Sequence, residues 1–478
     1  LIANAPHMPV HLGSMDESIR AVIREHSGAM RPGDVFVLNA PYNGGTHLPD
    51  VTVITPVFDY DDAGDRAKVL FYVASRGHHA EIGGISPGSM PPYSRNVEEE
   101  GVLIDNIKLV DRGHFLEAEI HAVLASGRYP SRNPDSNIAD LKAQIAACEK
   151  GVQELRRVVE HFSLDVVHAY MGHVQDNAEE SVRRVIDILN TGSFECPMDD
   201  GSKIKVRVSI NHSDRTAKID FSGTSVQLGT NFNAPTAVSR AAVLYVFRSL
   251  VEDDIPLNSG CLKPIELHIP DDCMLNPKFP AAVVAGNVET SQNIVDCLFG
   301  ALGQLAGCQG TMNNFTFGDN ELQYYETICS GTPAGPGFDG TDAVHAHMTN
   351  SRLTDPEILE WRFPVLLDSF AIRPGSGGKG QFNGGAGTLR RIRFLRPMTA
   401  SILSSRRKIS PHGLAGGGDG EAGRCWVERV GGGHEELGGC DSTEMEAEDI
   451  FVIQTPTSGA FGEVVREIVG GTSEGNGA

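Results

Sequence analysis

At 478 residues, with 40% hydrophobic and 21% charged side chains, the chain has the make-up of a globular protein too long for one small core, and two or three packed subdomains are expected. Its net charge of −22 argues against nucleic acid or an anionic membrane surface as partner. No apolar run approaches the roughly eighteen residues of a membrane span, and no secretion signal is visible, so a cytoplasmic protein without membrane association is expected.

In chain order, residues 1–3 read as the tail of a strand, followed by a loop holding His7 and His11 and then a helix. Ser14 with Glu17 three residues on matches a capping box, and Ile19, Val22 and Ile23 follow at helical spacing. Four β-branched, aromatic-rich runs come next: DVFVL, VTVITPV, KVLFYVAS beyond an acidic loop, and VLIDNIKLV. Over residues 137–190 the period changes from 2 to 3.6, with a break at 163–165, which predicts an antiparallel helical hairpin. Residues 203–222 predict a β-hairpin turning at 211–215, and 234–250 and 290–305 predict helices, the second with a Thr or Ser cap. The last hundred residues read as antiparallel β with Gly-rich turns, fraying from Ser473 onwards.

The expected class is therefore α+β, with mixed and antiparallel sheets, a central helical hairpin and a Gly-rich β C-terminal region. The boundaries fall at 1–136 (an α/β part), 137–192 (the hairpin), 193–372 (an α+β core) and 373–478 (the Gly-rich β region). None of the nine cysteines forms a CxxC, and the odd, scattered set predicts reduced, buried thiols.

The chemistry centres on residues 39–84. His47 and Asp50 lie three apart in a Gly-Gly-Thr-His-Leu-Pro-Asp turn, where Pro49 fixes the backbone and holds Leu48 extended. By itself an HxxD is read first as a turn with an Asx hydrogen bond. His78-His79, followed by Glu81, closes a hydrophobic strand about thirty residues later, and adjacent strand residues point to opposite faces. One of the two imidazoles can thus face a site while the other packs, and the sequence leaves open which. His/Asp/His is a ligand set for zinc, manganese or iron with positions left for water and substrate.

A further cluster holds Tyr324, Tyr325, Glu326, His345 and His347. Glu326 and His347 are its acid–base candidates, completing the same site or binding substrate, with ordinary polar loop residues as the alternative. His121, His161, His168 and His173 are read as surface or capping groups. The glycines of 375–387 lack a Gly-Lys-Ser/Thr ending and are read as turn glycines; no GxSxG elbow is present.

At these residues the sequence resembles the hydantoinase B/5-oxoprolinase family, the B half of the ATP-dependent hydantoinase–oxoprolinase system. The matching stretches include LIANAPHMPVHLGSM, NAPYNGGTHLPDVTVITPVF, VASRGHHAEIGGISPGSMPPYS, TNFNAPTAVSRAAVLYVF, AAVVAGNVETSQNIVD, YYETICSG, HAHMTNSRLTDPEILE and SSRRKISPHGLAGG, nearly end to end. The four stretches above would then be parts of one family domain. The family has several dozen residues before LIANAPH, so an N-terminal truncation is expected.

The resemblance implies a division of labour. An A-type ATP-binding subunit or domain, using ATP and Mg, phosphorylates the lactam or imide carbonyl, and the B-type chain promotes hydrolytic ring opening. The related acetone carboxylase α-subunit implies a divalent metal held by His47, Asp50 and one of His78 and His79, with His78 favoured. Glu81, where many relatives carry Asp, and His347 would move protons, with Glu326 as a further catalytic candidate. The expected function is the hydrolase component acting on 5-oxoproline, or on a hydantoin, within an oligomeric complex. The rivals are a carboxylase-type subunit acting on a phosphorylated enol, and a non-catalytic scaffold for the A-type partner.

Overall fold

The computed structural model describes residues 2–5, 7–59 and 68–464. The acidic loop at 60–67, Leu1 and the fraying expected from Ser473 lie outside the described residues. Among them no helix is long and apolar enough to cross a membrane.

The first sheet contains β1 Val35–Leu38, β2 Asp50–Phe58, β3 Val69–His78, β4 Ile107–Asp111 and β5 His114–Phe115, in the order β3-β2-β1-β4-β5 and antiparallel throughout. Its central strands read as continuous apolar runs because both faces are covered. Phe36, Leu38 and Ile54 pack with Val22 of a helix, while Val35, Val37, Val51 and Val53 pack with Ile138, Leu141 and Cys148 from the other side. The first helix is α2 Ser14–His26, directly preceded by the short α1 Pro9–Leu12. On the other side lie α3 Glu117–Leu124 and α4 Pro134–Phe162.

Three expectations change in this region. The described residues 2–5 form no strand. Ser14 does not cap a helix: the chain is already helical from Pro9, and the Ser14 hydroxyl bonds back to His11 O at 3.0 Å, as a mid-helix serine does. Residues 102–105 are not strand either. Their backbone groups are taken by the Asn39 side chain and by Ile82 O, so only Ile107–Asp111 joins the sheet.

The helical hairpin is present, turning at Ser163 in the left-handed region (φ 70) into α5 Leu164–Ile188. Its legs serve different cores: α4 packs on the first sheet, and α5 sends Ala178, Val182 and Ile186 into the central core. That core lies against β6 Gly192–Pro197, β7 Lys203–Asn211, β8 Thr216–Asp220 and β9 Ile265–His268, in this order, with only β8–β9 parallel. The β7–β8 hairpin turns where predicted. Two helices, α6 Thr236–Ser249 and α7 Ser291–Leu302, fill the core, and α7 is buried almost all round. No side-chain cap starts α7, because the chain is already wound in a π-helical turn, Gly286–Thr290; the Thr290 hydroxyl donates instead to Phe232 O.

The C-terminal region is a sandwich built from β10 Asn314–Gly318, β11 Gln323–Glu326, α8 Pro356–Arg362, β12 Val365–Ile372, β13 Thr388–Phe394, β14 Met398–Leu403, β15 Arg424–Glu428, β16 His434–Leu437, β17 Cys440–Met445 and β18 Ile450–Gln454. Its antiparallel sheets run β11-β10-β14-β17 and β12-β13-β18-β15-β16. Alternate residues of each meet in one core, Phe315, Phe317 and Ile402 against Phe394, Val427 and Phe451. The nine cysteines are free thiols, eight of them buried.

Candidate metal centre

The centre forms where β2 and β3 end together. Asp50 and His78 are paired across the antiparallel ladder, so their side chains leave the same face as nearest neighbours. His47 joins them through the turn entering β2. Gly44 takes a φ of +92, and a Cβ on Gly45 would stand 2.4 Å from Asn39 O, so neither position admits a larger residue without moving the turn. Asn39 anchors that turn by donating to Leu48 O at 2.8 Å, and Leu48 is fully buried.

His47, Asp50 and His78 each offer one ligand atom, all within 4.8 Å of one another. The His47 and His78 rings meet edge to face, 5.3 Å apart. Asp50 Oδ2 accepts from Thr46 Oγ1 at 2.8 Å and Asn287 Nδ2 at 3.1 Å. His47 Nε2 and His11 Nδ1 each lie 3.5 Å from the same oxygen. Among the described residues, Asp50 Oδ1, both ring nitrogens of His47, Nε2 of His78 and Nδ1 of His11 have no hydrogen-bond partner, although all these atoms are buried. Buried polar atoms are ordinarily satisfied, so a converging set of bare imidazole and carboxylate atoms fits a cation. The fit is chemical as well: nitrogen and carboxylate donors suit zinc, manganese or iron.

The electrostatics agree. Burial pulls the His78 pKa down to about 4 and that of His11 to about 3, leaving neutral imidazoles with lone pairs to give. Burial alone would raise the Asp50 carboxyl, but the imidazoles of His11 and His47 outweigh it and hold the group well below the usual carboxylate range. Arg76, two residues before His78 on β3, is bound by Ser18 Oγ at 2.7 Å and Thr52 Oγ1 at 2.8 Å; burial lowers its pKa to about 10.

The other candidates stand elsewhere. His79 points to the opposite face of β3, where Nδ1 meets Asn137 Nδ2 at 2.9 Å and Nε2 meets Gln144 Oε1 at 3.2 Å. With both nitrogens engaged by α4, His79 is outside the ligand group. Glu81 is buried in a salt bridge with Arg132 at 3.0 Å and also accepts from Gly83 N and Gly88 N. Glu326 forms a bidentate pair with Arg390, at 2.7 and 2.9 Å, deep in the sandwich. Strand alternation turns Tyr325 toward His78 and Glu326 away from it. Both carboxylates are thus held in ion pairs, Glu81 with Arg132 and Glu326 with Arg390.

His347 likewise belongs to a separate buried cluster, with Nε2 3.5 Å from Asp296 Oδ1 and Nδ1 3.4 Å from the Tyr245 hydroxyl. Asp296 lies nine residues beyond Asn287, roughly 13 Å along a helix. His345 is bonded to Thr327 at 3.4 Å. His347 thus sits in a cluster of its own with Asp296 and Tyr245.

Sequence reasoning missed His11, Asn287 and Thr46. Thr46 had a local signal, adjacent to His47 in the turn. For His11 and Asn287 the only signal was their presence in polar-studded stretches, PHMPVHL and NVETSQ, far from the turn in sequence.

Comparison with known proteins follows the same residues. A family model described as hydantoinase B/oxoprolinase matches residues 1–464. A 5-oxoprolinase of Dictyostelium discoideum is 46% identical over 472 residues, covering 97% of this chain and 36% of that protein. Another, 5-oxoprolinase 1 of Arabidopsis thaliana, is also 46% identical, with 38% of its length covered, so the chain spans well under half of these relatives. Among solved structures, ATP-dependent caprolactamase from Pseudomonas jessenii superposes with a TM-score of 0.85 over 97% of this chain and 83% of that one, at 23% identity. The likeness is one of fold, and it agrees with the α+β class.

Proposed function

The chain belongs to the hydantoinase B/oxoprolinase family, and from that premise we propose that it is the hydrolytic component of an ATP-dependent opening of a cyclic amide. 5-Oxoproline, opened to glutamate, is the first candidate substrate and a hydantoin, opened to an N-carbamoyl amino acid, the second. The observation that carries the reading is the buried His47–Asp50–His78 group with its unpartnered nitrogen and oxygen atoms. The names of the relatives support the substrate class.

A lactam is a poor electrophile because resonance ties its nitrogen lone pair into the carbonyl. An A-type partner holding ATP and Mg would phosphorylate that oxygen and make it a leaving group. His47, Asp50 and His78 would hold a divalent zinc, manganese or iron ion, whose Lewis acidity supplies hydroxide near neutral pH. Thr46 and Asn287 tie down Asp50 Oδ2 and leave Oδ1 free to ligate. Burial keeps His78 unprotonated at working pH, so no proton has to leave before it binds. Water would add at the activated carbon and the ring C–N bond would break with a proton delivered to nitrogen, leaving an acyl phosphate that a second water would cleave to carboxylate and phosphate.

Reconstitution with an A-type partner tests the reading. Glutamate should form from 5-oxoproline only with ATP present, and Asp50→Ala should abolish it. Undiminished turnover by Asp50→Ala would identify the chain as a scaffold, and product formation dependent on bicarbonate would identify a carboxylase subunit.

A further inference from the structure

The π-helical turn Gly286–Thr290 sends two side chains toward the candidate centre by separate routes. Residues two apart on a helix do not face each other. Asn287 goes directly, donating 3.1 Å to Asp50 Oδ2. Glu289 goes through two intermediaries. Its Oε1 accepts from Asn314 Nδ2 at 2.7 Å, and Asn314 Oδ1 accepts from the Tyr325 hydroxyl at 2.8 Å. The Tyr325 ring stacks on the His78 imidazole, with centroids 4.9 Å apart and planes 22° from parallel.

Glu289 is rigidly held. Met312 N donates to Oε1 at 3.0 Å and the Ser405 hydroxyl to Oε2 at 2.9 Å. It is fully buried, and among the described residues no Lys or Arg forms a salt bridge with it. Burying a carboxyl without a cation is costly, and the hydrogen bonds from Met312, Ser405 and Asn314 offset part of that cost. π-Helical turns are rare and concentrate at functional sites.

We propose that Asn287 and Glu289 are positioning residues of the centre, Asn287 fixing the carboxylate of Asp50 and Glu289, through Asn314 and Tyr325, fixing the ring of His78. The inference rests on His47, Asp50 and His78 holding a divalent cation. One turn of helix thereby orients two ligands that arrive on different strands. Glu289 never touches the ion; its effect is on how well the site is formed before the ion arrives.

Cobalt(II) loading tests this on the whole chain, with affinity measured by chelator competition and ligand geometry by the visible absorption bands. Tyr325→Phe keeps the stacking ring and removes only its anchor; Asn287→Ala removes the bond to Asp50; Glu289→Gln keeps the shape of the relay. Tyr325→Phe and Asn287→Ala should each weaken cobalt binding by about 10-fold or more, the usual effect of losing a group that orients a ligand, and shift the bands. Glu289→Gln should shift them in the same direction. Folded variants that melt earlier yet bind cobalt with unchanged affinity and spectrum would show a purely structural role and overturn the inference. Should the variants not fold, titrating the unmodified protein with zinc decides: metal reaching His78 must perturb the near-ultraviolet absorption of stacked Tyr325, and zinc uptake without a tyrosine signal overturns the inference. An unmodified chain that takes up neither metal overturns the underlying metal reading instead.

Discussion

Asp50 and His78 face each other as a directly opposed pair at the end of the β2–β3 ladder, although 28 positions separate them in the chain. That register, and not proximity in sequence, brings a carboxylate and an imidazole to one face. It also sends His79 to the other face, where Asn137 and Gln144 occupy both its nitrogens.

The two adjacent histidines should therefore fail in different ways. His78→Ala is expected to lower metal affinity by more than the roughly 10- to 100-fold carried by groups that merely orient ligands, with little loss of stability. His79→Ala takes one hydrogen bond from each of the buried Asn137 and Gln144 amides and should cost about 1–3 kcal/mol of stability while metal content stays near that of the parent. Metal analysis by mass spectrometry beside urea unfolding separates the two.

Metal-free protein should lose stability as the medium turns acid. Burial lowers His11 to about 3 and His78 and His345 to about 4, whereas the unfolded chain titrates its histidines near the ordinary value of about 6.5. Between these limits the unfolded state binds protons that the folded state refuses. The contribution is whole above about pH 6.5 and declines toward pH 4, at up to about 1.4 kcal/mol per pH unit for each group. His345→Gln removes one of these groups while leaving His47, Asp50 and His78 in place, and it should flatten the slope of unfolding free energy against pH.

Glu326 should prove a stability residue. Removing it strands Arg390, which is 2% exposed, in the sandwich core. Breaking a buried pair from one side typically costs about 3–5 kcal/mol. Glu326→Ala is expected to lower the unfolding midpoint by that measure and to leave metal content unchanged; loss of metal with normal stability would return Glu326 to the centre.

Gly45→Ala tests the turn. The added methyl meets the Asn39 and Ala40 carbonyl oxygens at 2.4 and 2.7 Å, rigid backbone that has no room to yield. The turn must shift and carry His47 with it, at a cost of about 1–3 kcal/mol for an overpacked site. Metal affinity should fall together with stability, in contrast to Glu326→Ala.

Much of this was legible in the chain itself. Unbroken β-branched and aromatic runs marked β1, β2 and β3, the change to a 3.6 period marked α4 and α5, and strand alternation required His78 and His79 to diverge. What periodicity could not supply was register. A one-residue slip of β3 would exchange the two histidines, and only packing of α4 against β2 and β3 decides between them. The ion pairs of the acid–base candidates Glu81 and Glu326 were hidden for a related reason. Their partners Arg132 and Arg390 lie 51 and 64 residues away, and nothing local distinguishes a carboxylate awaiting a substrate from one already paired. Asn287 touches Asp50 across 237 residues of sequence.

That last separation has a kinetic consequence. His47 and Asp50 meet early, within one turn, but the Asn287 and Tyr325 contacts require closing loops of more than two hundred residues, the slowest kind of event in folding. An ion-ready geometry is therefore a late product of synthesis and collapse. An N-terminal fragment ending after the helical hairpin would carry all three proposed ligands and still lack the groups that hold them, so metal uptake reports on completion of the whole chain.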